Sequence, residues 1–389
     1  MLLTAFILIL YAVGLASAIN AAMTARTATG AVAWVVALTS FPLLAVPAYW
    51  VFGRSKFEGV ADAYSANRER IDAIVEEMAA NLEPLQVRLE GAVPYYDVIR
   101  KLSGNNLVRG NEVELLVNGE ATFDSIIDGI ARASEYVIVQ SYIIRDDGLG
   151  QQLKQALLKR AQAGIQVFLL YDEVGCLGLP GAYGEELRSA GAKVSSFRPT
   201  RGVRNRFQLN FRNHRKIVIV DGESGWLGGH NVGDEYLGLN ADLSPWRDTH
   251  VRLRGPAVIQ LQGVVAADWY WATRELPPFN WQPETADTSD TRALIIPSGP
   301  TQPLETAGLI YVMALNQARR RIWLTAPYFV PDEAVMKALE LAALRGVEIR
   351  ILLAGATDSS LANHASYHFI PRLIKLGIRF TVYRPGFLH

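Results

Sequence analysis

The chain has 389 residues, half of them hydrophobic, with 38 basic and 38 acidic side chains and no net charge. That balance excludes the global basic field of a non-specific nucleic-acid binder, and the length leaves room for more than one core. The lone cysteine, Cys176, excludes an intrachain disulfide framework and a cysteine-based zinc site.

Mean hydropathy is +0.12, and the excess sits at the N-terminus. Residues 2–19 are uncharged over 18 positions, near the length that crosses a bilayer core. A second uncharged stretch, residues 31–52, carries Trp34, Tyr49 and Trp50 toward its ends, as interfacial aromatics often lie. Pro42 and Pro47 would kink it, which membrane helices tolerate. Ala16-Ser17-Ala18 resembles a signal cleavage site, but no Lys or Arg precedes the apolar run, so a retained helical hairpin is expected. Arg26 lies between the stretches, while Arg54, Lys56, Arg68 and Arg70 follow the second. The positive-inside rule then places the rest of the chain in the cytoplasm.

Residues 62–82 read as an amphipathic helix striped by Ile71, Ile74, Val75 and Met78. EVELLVNG predicts a strand running into an Asn118-Gly119 turn, with Thr122 as N-cap of the next helix. From there the chain repeats itself. FDSIIDGIARASEYVIVQSYI matches LIYVMALNQARRRIWLTAPYF at 309–329, a helix and then an apolar strand ending in tyrosine. The next unit, a helix stopped by Gly164, matches 335–355, where Gly346 is the stop; LRSAGAKVSSFRP matches LIKLGIRFTVYRP at 373–385. Alternating strands and helices predict an α/β fold with parallel sheets covered by helices, and two copies suggest pseudo-symmetric lobes. The expected divisions are a transmembrane hairpin (1–54), a juxtamembrane segment (55–110), a first lobe (111–275), a Pro/Asp/Thr-rich linker (276–292) and a second lobe (293–389).

Within the first lobe, residues 213–231 read NHRKIVIVDGESGWLGGHN. His214, Lys216 and Asp221 stand at H-x-K-x-x-x-x-D spacing, followed by Gly228, Gly229 and Asn231. Ile217 to Val220 predict a buried strand closed by an Asp221-Gly222 turn, and positions two apart on a strand share a face. A histidine beside a fixed cation suits attack on a phosphodiester anion. After Arg384-Pro385 the second copy reaches His389 where a second such motif would begin; its Lys, Asp and Gly-x-Asn are not in the chain.

With NFRNHRKIVIVDG, GGHNVGDEY and WRDTHVRLRGPAV, the chain resembles the phospholipase D superfamily and, within it, bacterial cardiolipin synthases. The resemblance implies two phospholipase D-like lobes, the second incomplete, behind the hairpin. It implies a multi-pass protein of the bacterial inner membrane acting on phosphatidylglycerol, with no cofactor, metal or nucleic acid required. In such enzymes one motif histidine attacks phosphorus and the other protonates the leaving group. His214 is assigned as nucleophile and His389 as acid and then base, the reverse remaining open. Lys216 and Asn231 would hold the non-bridging oxygens.

Asp221 completes the motif, although an Asp opening a D-G turn also suits bonds to local backbone. A histidine in this role usually needs a carboxylate on its far nitrogen; Asp248 is the candidate and Glu235 the runner-up. Residues 201–216 hold six basic side chains and no acid, so Arg204, Arg206 and Arg212, together with Gly228 and Gly229, are expected to meet anionic headgroups. Phe207, Leu209 and Phe211 alternate through this stretch. His364 and His368 have a metal-capable i, i+4 spacing without a third ligand.

The expected reaction is phosphatidyl transfer between two phosphatidylglycerol molecules through a phosphohistidine, giving cardiolipin and glycerol. Hydrolysis by a phospholipase D-type phosphodiesterase is the alternative. A third expectation, drawn from the end at His389, is an inactive or weakly active membrane polypeptide.

Overall fold

The computed structural model describes residues 1–25, 27–53, 67–89, 94–197, 212–299, 302, 304–357 and 360–389. The chain divides into two compact units, one of residues 1–71, 198–212 and 299–303, the other of 72–197, 213–298 and 304–389.

In the first unit, α1 (Leu2–Thr24) is a 23-residue apolar helix, long enough to cross a bilayer. The second apolar stretch is not one helix. It breaks into α2 (Ala28–Ser40) and α3 (Pro42–Ala48), with a π-turn at Tyr49–Gly53. Pro42 explains the break: it pushes Phe41 out of the helical region, to φ −134° and ψ 58°. Small residues let the helices approach, with Ser17, Ala18 and Ala21 of α1 buried against Leu38 and Ala45. Tyr49 Oη donates to Asn20 Oδ1 at 2.6 Å and Trp50 Nε1 to Ser17 Oγ at 3.2 Å. These bonds satisfy the polar groups of an otherwise apolar contact.

In the second unit, the striped helix appears as α4 (Arg68–Leu82), followed by α5 (Pro94–Ser103). The strand β1 (Val108–Val117) passes directly into α6 (Asn118–Arg132), without the expected Asn-Gly turn. Asn118 takes the left-handed conformation (φ 66°), and Thr122 lies inside the helix, where its hydroxyl donates to Asn118 O at 2.8 Å. It is not the N-cap, because the helix starts a turn earlier than its apolar pattern.

Next come β2 (Tyr136–Ser141), α7 (Gly148–Gln162), β3 (Gln166–Asp172), α8 (Gly181–Ser189) and β4 (Lys193–Phe197). The hairpin β5 (Ile217–Val220) and β6 (Ser224–Gly228) is followed by β7 (Trp246–Arg247), β8 (Thr249–Arg254) and α9 (Ala257–Thr273). With β9 (Thr291–Ala293), these build an eight-stranded sheet in the order β4-β3-β2-β5-β6-β8-β1-β9. β2, β3 and β4 run parallel, whereas β5, β6, β8, β1 and β9 join through antiparallel pairs. The stretch expected as a linker is packed, with Phe279 and Trp281 buried and Phe279 against Tyr136 and Phe168.

The remaining elements are α10 (Thr306–Gln317), β10 (Arg321–Ala326), α11 (Glu333–Leu344), β11 (Glu348–Ala354), α12 (Ser360–Ile374), β12 (Arg379–Tyr383) and β13 (Phe387–Leu388). β10, β11 and β12 form a parallel three-stranded sheet. Gly164 (φ 84°) and Gly346 (φ 81°) close α7 and α11, the two stops anticipated from the repeat. β13 leaves this sheet and pairs in parallel with β7, Phe387 against Trp246 and Leu388 against Arg247. Phe387, fully buried, belongs to the core of the eight-stranded sheet and anchors the last residue beside it.

Candidate active site

The segment before β5 is extended, and alternation divides its side chains between two partners. Asn213 and Arg215 turn to Asp268 on α9: Asn213 Nδ2 donates to Asp268 Oδ2 at 2.9 Å, and the Arg215 guanidinium pairs with the same oxygen. The Asn213 N–H also donates to the buried Asp172 at 2.9 Å. His214 and Lys216 turn instead to Tyr142. The His214 ring stacks on it at 3.9 Å and 17°, and Lys216 Nζ lies 5.3 Å from the ring centroid. The expected shared face is present, although the strand proper starts one residue later.

Lys216 Nζ donates to His214 O at 2.7 Å. Burial lowers its pKa to about 8, opposed by the negative charge of Asp248. The ammonium is therefore held beside the site in a weakly solvated state, ready to gain from an added anion.

Asp248, between β7 and β8, is buried, and it meets the far end of the chain. His389 Nδ1 lies 2.8 Å from its Oδ2, although 141 positions separate the two residues. The Trp246 indole N–H donates to the same oxygen at 3.4 Å and the Thr249 N–H to Oδ1 at 2.7 Å. Burial alone would raise the carboxyl's pKa; the hydrogen bond to His389 and the nearby His230 outweigh it and hold the pKa below the ordinary value. The candidate carboxylate thus contacts His389, the residue read as the start of a second motif. Glu235, the runner-up, faces Arg145 at 3.8 Å instead.

Four other candidate residues have their contacts within the protein. Asp221 lies at the opposite end of β5 from Lys216, about 17 Å away for the residue steps of an extended strand. Its carboxylate accepts from the Ser134, Glu135 and Tyr136 N–H groups, each at 2.8 Å, and from Ser134 Oγ at 3.0 Å. It fastens the hairpin turn to the start of β2, the backbone role that an Asp opening a D-G turn suits. Asp221→Ala is expected to cost about 2–4 kcal/mol, because it strands several backbone donors. Chemical denaturation checks the loss, and kcat of the folded fraction should stay unchanged.

Gly228 is exposed and Gly229 half-buried, and each lies tight against a neighbouring side chain. A Cβ at Gly229 would sit 2.2 Å from Asp248 Oδ1, and one at Gly228 would sit 2.5 Å from His250 Nδ1. Their bareness lets β8 bring the carboxylate in. Asn231 is buried; its Oδ1 accepts from the Ile143 N–H at 3.1 Å and its Nδ2 donates to Tyr236 Oη at 2.8 Å. It therefore ties down the 142–145 segment. Arg204 and Arg206, with Phe207, Leu209 and Phe211, lie outside the described residues, and Arg212 falls in the other compact unit.

Sequence reasoning missed two histidines. His230 and His250 are buried with their Nδ1 atoms 3.4 Å apart, and burial lowers their pKa values to about 4 and about 3. Both are neutral at physiological pH. Their place inside GGHN and WRDTH was the available signal. His364 and His368 lie on α12, away from any group of three metal-capable side chains among the described residues.

Residues 126–248 and 311–389 match the family described as cardiolipin synthase, PLD-like domain. A cardiolipin synthase A of Pseudomonas entomophila (strain L48) is 44% identical over 388 residues, covering 98% of this chain and 80% of that protein. A cardiolipin synthase A of Pseudomonas aeruginosa (strain LESB58) is 45% identical over 383 residues, covering 97% and 77%. The phosphatidylserine synthase structure from Haemophilus influenzae Rd KW20 shares the fold, with a TM-score of 0.50 at 12% identity over 81% of this chain and 79% of that one. Fold and site thus define an enzyme of the phospholipase D superfamily, a phosphatidyltransferase. Within that class the chain belongs to the cardiolipin synthase family.

Proposed function

We propose that the enzyme transfers a phosphatidyl group between two phosphatidylglycerol molecules, forming cardiolipin and releasing glycerol through a phosphohistidine on His214. The observation that carries this reading is the contact of His389 with Asp248, the carboxylate whose charge acts on Lys216 of the first motif. A ring nitrogen of His214 bonds to the donor's phosphorus as the bond to the glycerol oxygen breaks, and His389 gives that oxygen a proton. The acceptor lipid's hydroxyl then returns a proton to His389, and its oxygen takes the phosphatidyl group from His214. Lys216 counters the negative charge that builds on the non-bridging oxygens in both steps.

The roles follow from the neighbours. Lys216, on the same face as His214, supplies a fixed cation for the phosphate that His214 attacks. The carboxylate on His389 Nδ1 orients that ring and leaves Nε2 to exchange the proton. The matching β2-β3-β4 and β10-β11-β12 sheets support reading the catalytic part as two pseudo-symmetric lobes. The apolar α1, packed on α2 and α3, supports a membrane hairpin, with the basic residues after it favouring a cytoplasmic catalytic part. Arg204, Arg206 and Arg212 would then recruit anionic headgroups, and no nucleic acid is involved.

The products decide the reading. Phosphatidylglycerol carrying radiolabelled headgroup glycerol, supplied to membranes of cells expressing the gene, is expected to yield cardiolipin and free labelled glycerol. Phosphatidic acid in place of cardiolipin would mean that water takes the acceptor's place and would overturn the proposal.

A further inference from the structure

We propose that the ring of Tyr142 is a positioning residue for the transfer, a platform that fixes the His214 imidazole for attack and holds Lys216 on the same side. The inference rests on the phosphohistidine reading above and adds a residue to it. His214 is exposed, and an exposed imidazole on two rotatable bonds samples many orientations that cannot attack in line. Stacking at 3.9 Å and 17° restricts that sampling, and orientation of this kind carries a large part of a nucleophile's advantage.

The platform is itself held. The Tyr142 carbonyl accepts from Cys176 Sγ at 3.5 Å, and Sγ accepts from the Ile144 N–H at 3.1 Å. The Ile143 N–H donates to Asn231 Oδ1 at 3.1 Å, and the Arg145 N–H donates to Val232 O at 2.9 Å. Gly175 lies so close that a Cβ there would be 2.1 Å from the Tyr142 carbonyl oxygen. Segments 142–145, 172–176 and 231–232 thus converge to aim one ring. Asn231, Cys176 and Gly175, which touch neither motif histidine in the contacts described, gain a purpose through Tyr142. The same ring presents its negative face to Lys216 Nζ at 5.3 Å, an arrangement that favours the ammonium form.

Among the described residues, the charged and titratable groups facing Lys216 are Asp248, His250, Tyr142 and His214, whose carbonyl accepts the Lys216 bond. With a pKa of about 8, Lys216 is cationic below that pH and neutral above it, so kcat/KM should fall as pH rises through about 8. A bound phosphodiester anion stabilises the ammonium, so kcat should hold to higher pH.

The test compares Tyr142→Phe, which keeps the ring, with Tyr142→Leu, which keeps apolar bulk without a π face. Tyr142→Phe is expected to retain kcat within a few fold. Tyr142→Leu should lose roughly ten- to a hundredfold in kcat with little change in KM. Its kcat/KM limb should move down by about half a pH unit, the size of an ordinary cation–π contact. A wild-type kcat and limb in Tyr142→Leu would overturn the proposal. Proton NMR of the wild-type protein gives a second readout if that variant does not fold. His214 ring protons, identified by their loss in His214→Ala, should lie upfield of the other histidines; ordinary positions would overturn the stack. If His214→Ala kept full activity, the phosphohistidine reading would fail first, an outcome distinct from an inert Tyr142→Leu.

Discussion

His214→Ala is expected to abolish transfer, lowering kcat on the order of 10⁵-fold, the scale recorded when a covalent nucleophile is removed. The loss should be chemical and not structural. His214 is exposed, and the residues that hold its segment, Asn213 and Arg215, make their bonds to Asp172 and Asp268 independently of the imidazole. Removing the ring leaves Lys216, Tyr142 and the Asp248–His389 pair in place, so lipid binding should weaken far less than turnover. Brief reaction with lipid labelled at phosphorus, then alkaline quench, should trap an acid-labile label on the peptide bearing His214. The alanine variant should carry none. Label on the His389 peptide would exchange the two roles, and no label with full turnover would remove the covalent step altogether.

What the sequence made legible was local or periodic. The shared side of His214 and Lys216 follows from alternation over two residues, and the helix stops at Gly164 and Gly346 follow from residue type. The β-α-β order of both sheets follows from repeated hydrophobic pattern. What was not legible concerns residues whose partners are distant in the chain. Gly228 and Gly229 give no sign that His250 on β8 and Asp248 just before it lie against them. Asn231 reads as an oxyanion donor, but its bonds to the Ile143 N–H, 88 positions upstream, and to Tyr236 Oη are not visible in the sequence. Asp221 was half-read: a turn carboxylate bonding backbone was anticipated, but that backbone belongs to residues 134–136. The break before Pro42 was visible as a kink and underestimated, because Phe41 yields its helical conformation as well. His230 and His250 gave no sign of their pairing, since burial depends on the packing of the whole sheet.

Asp248→Asn tests the long-range contact at the centre of the proposal, and it should lower kcat roughly 10²- to 10⁴-fold with little change in KM. The substitution preserves shape. The asparagine Oδ1 can still accept the Thr249 N–H, which places the amide NH₂ where Oδ2 met His389 Nδ1 and the Trp246 indole N–H. A donor now faces two donors. His389 can answer only by presenting a bare Nδ1, which puts its proton on Nε2, the wrong tautomer for accepting the hydroxyl proton of the second lipid. The imidazolium needed in the first step also loses its counter-charge, so both half-reactions suffer. Because the carboxylate acts through the histidine, the two losses should not add. His389→Ala alone and the double variant with Asp248→Asn are expected to have equal kcat, whereas losses that multiply would show that Asp248 serves the reaction by another route.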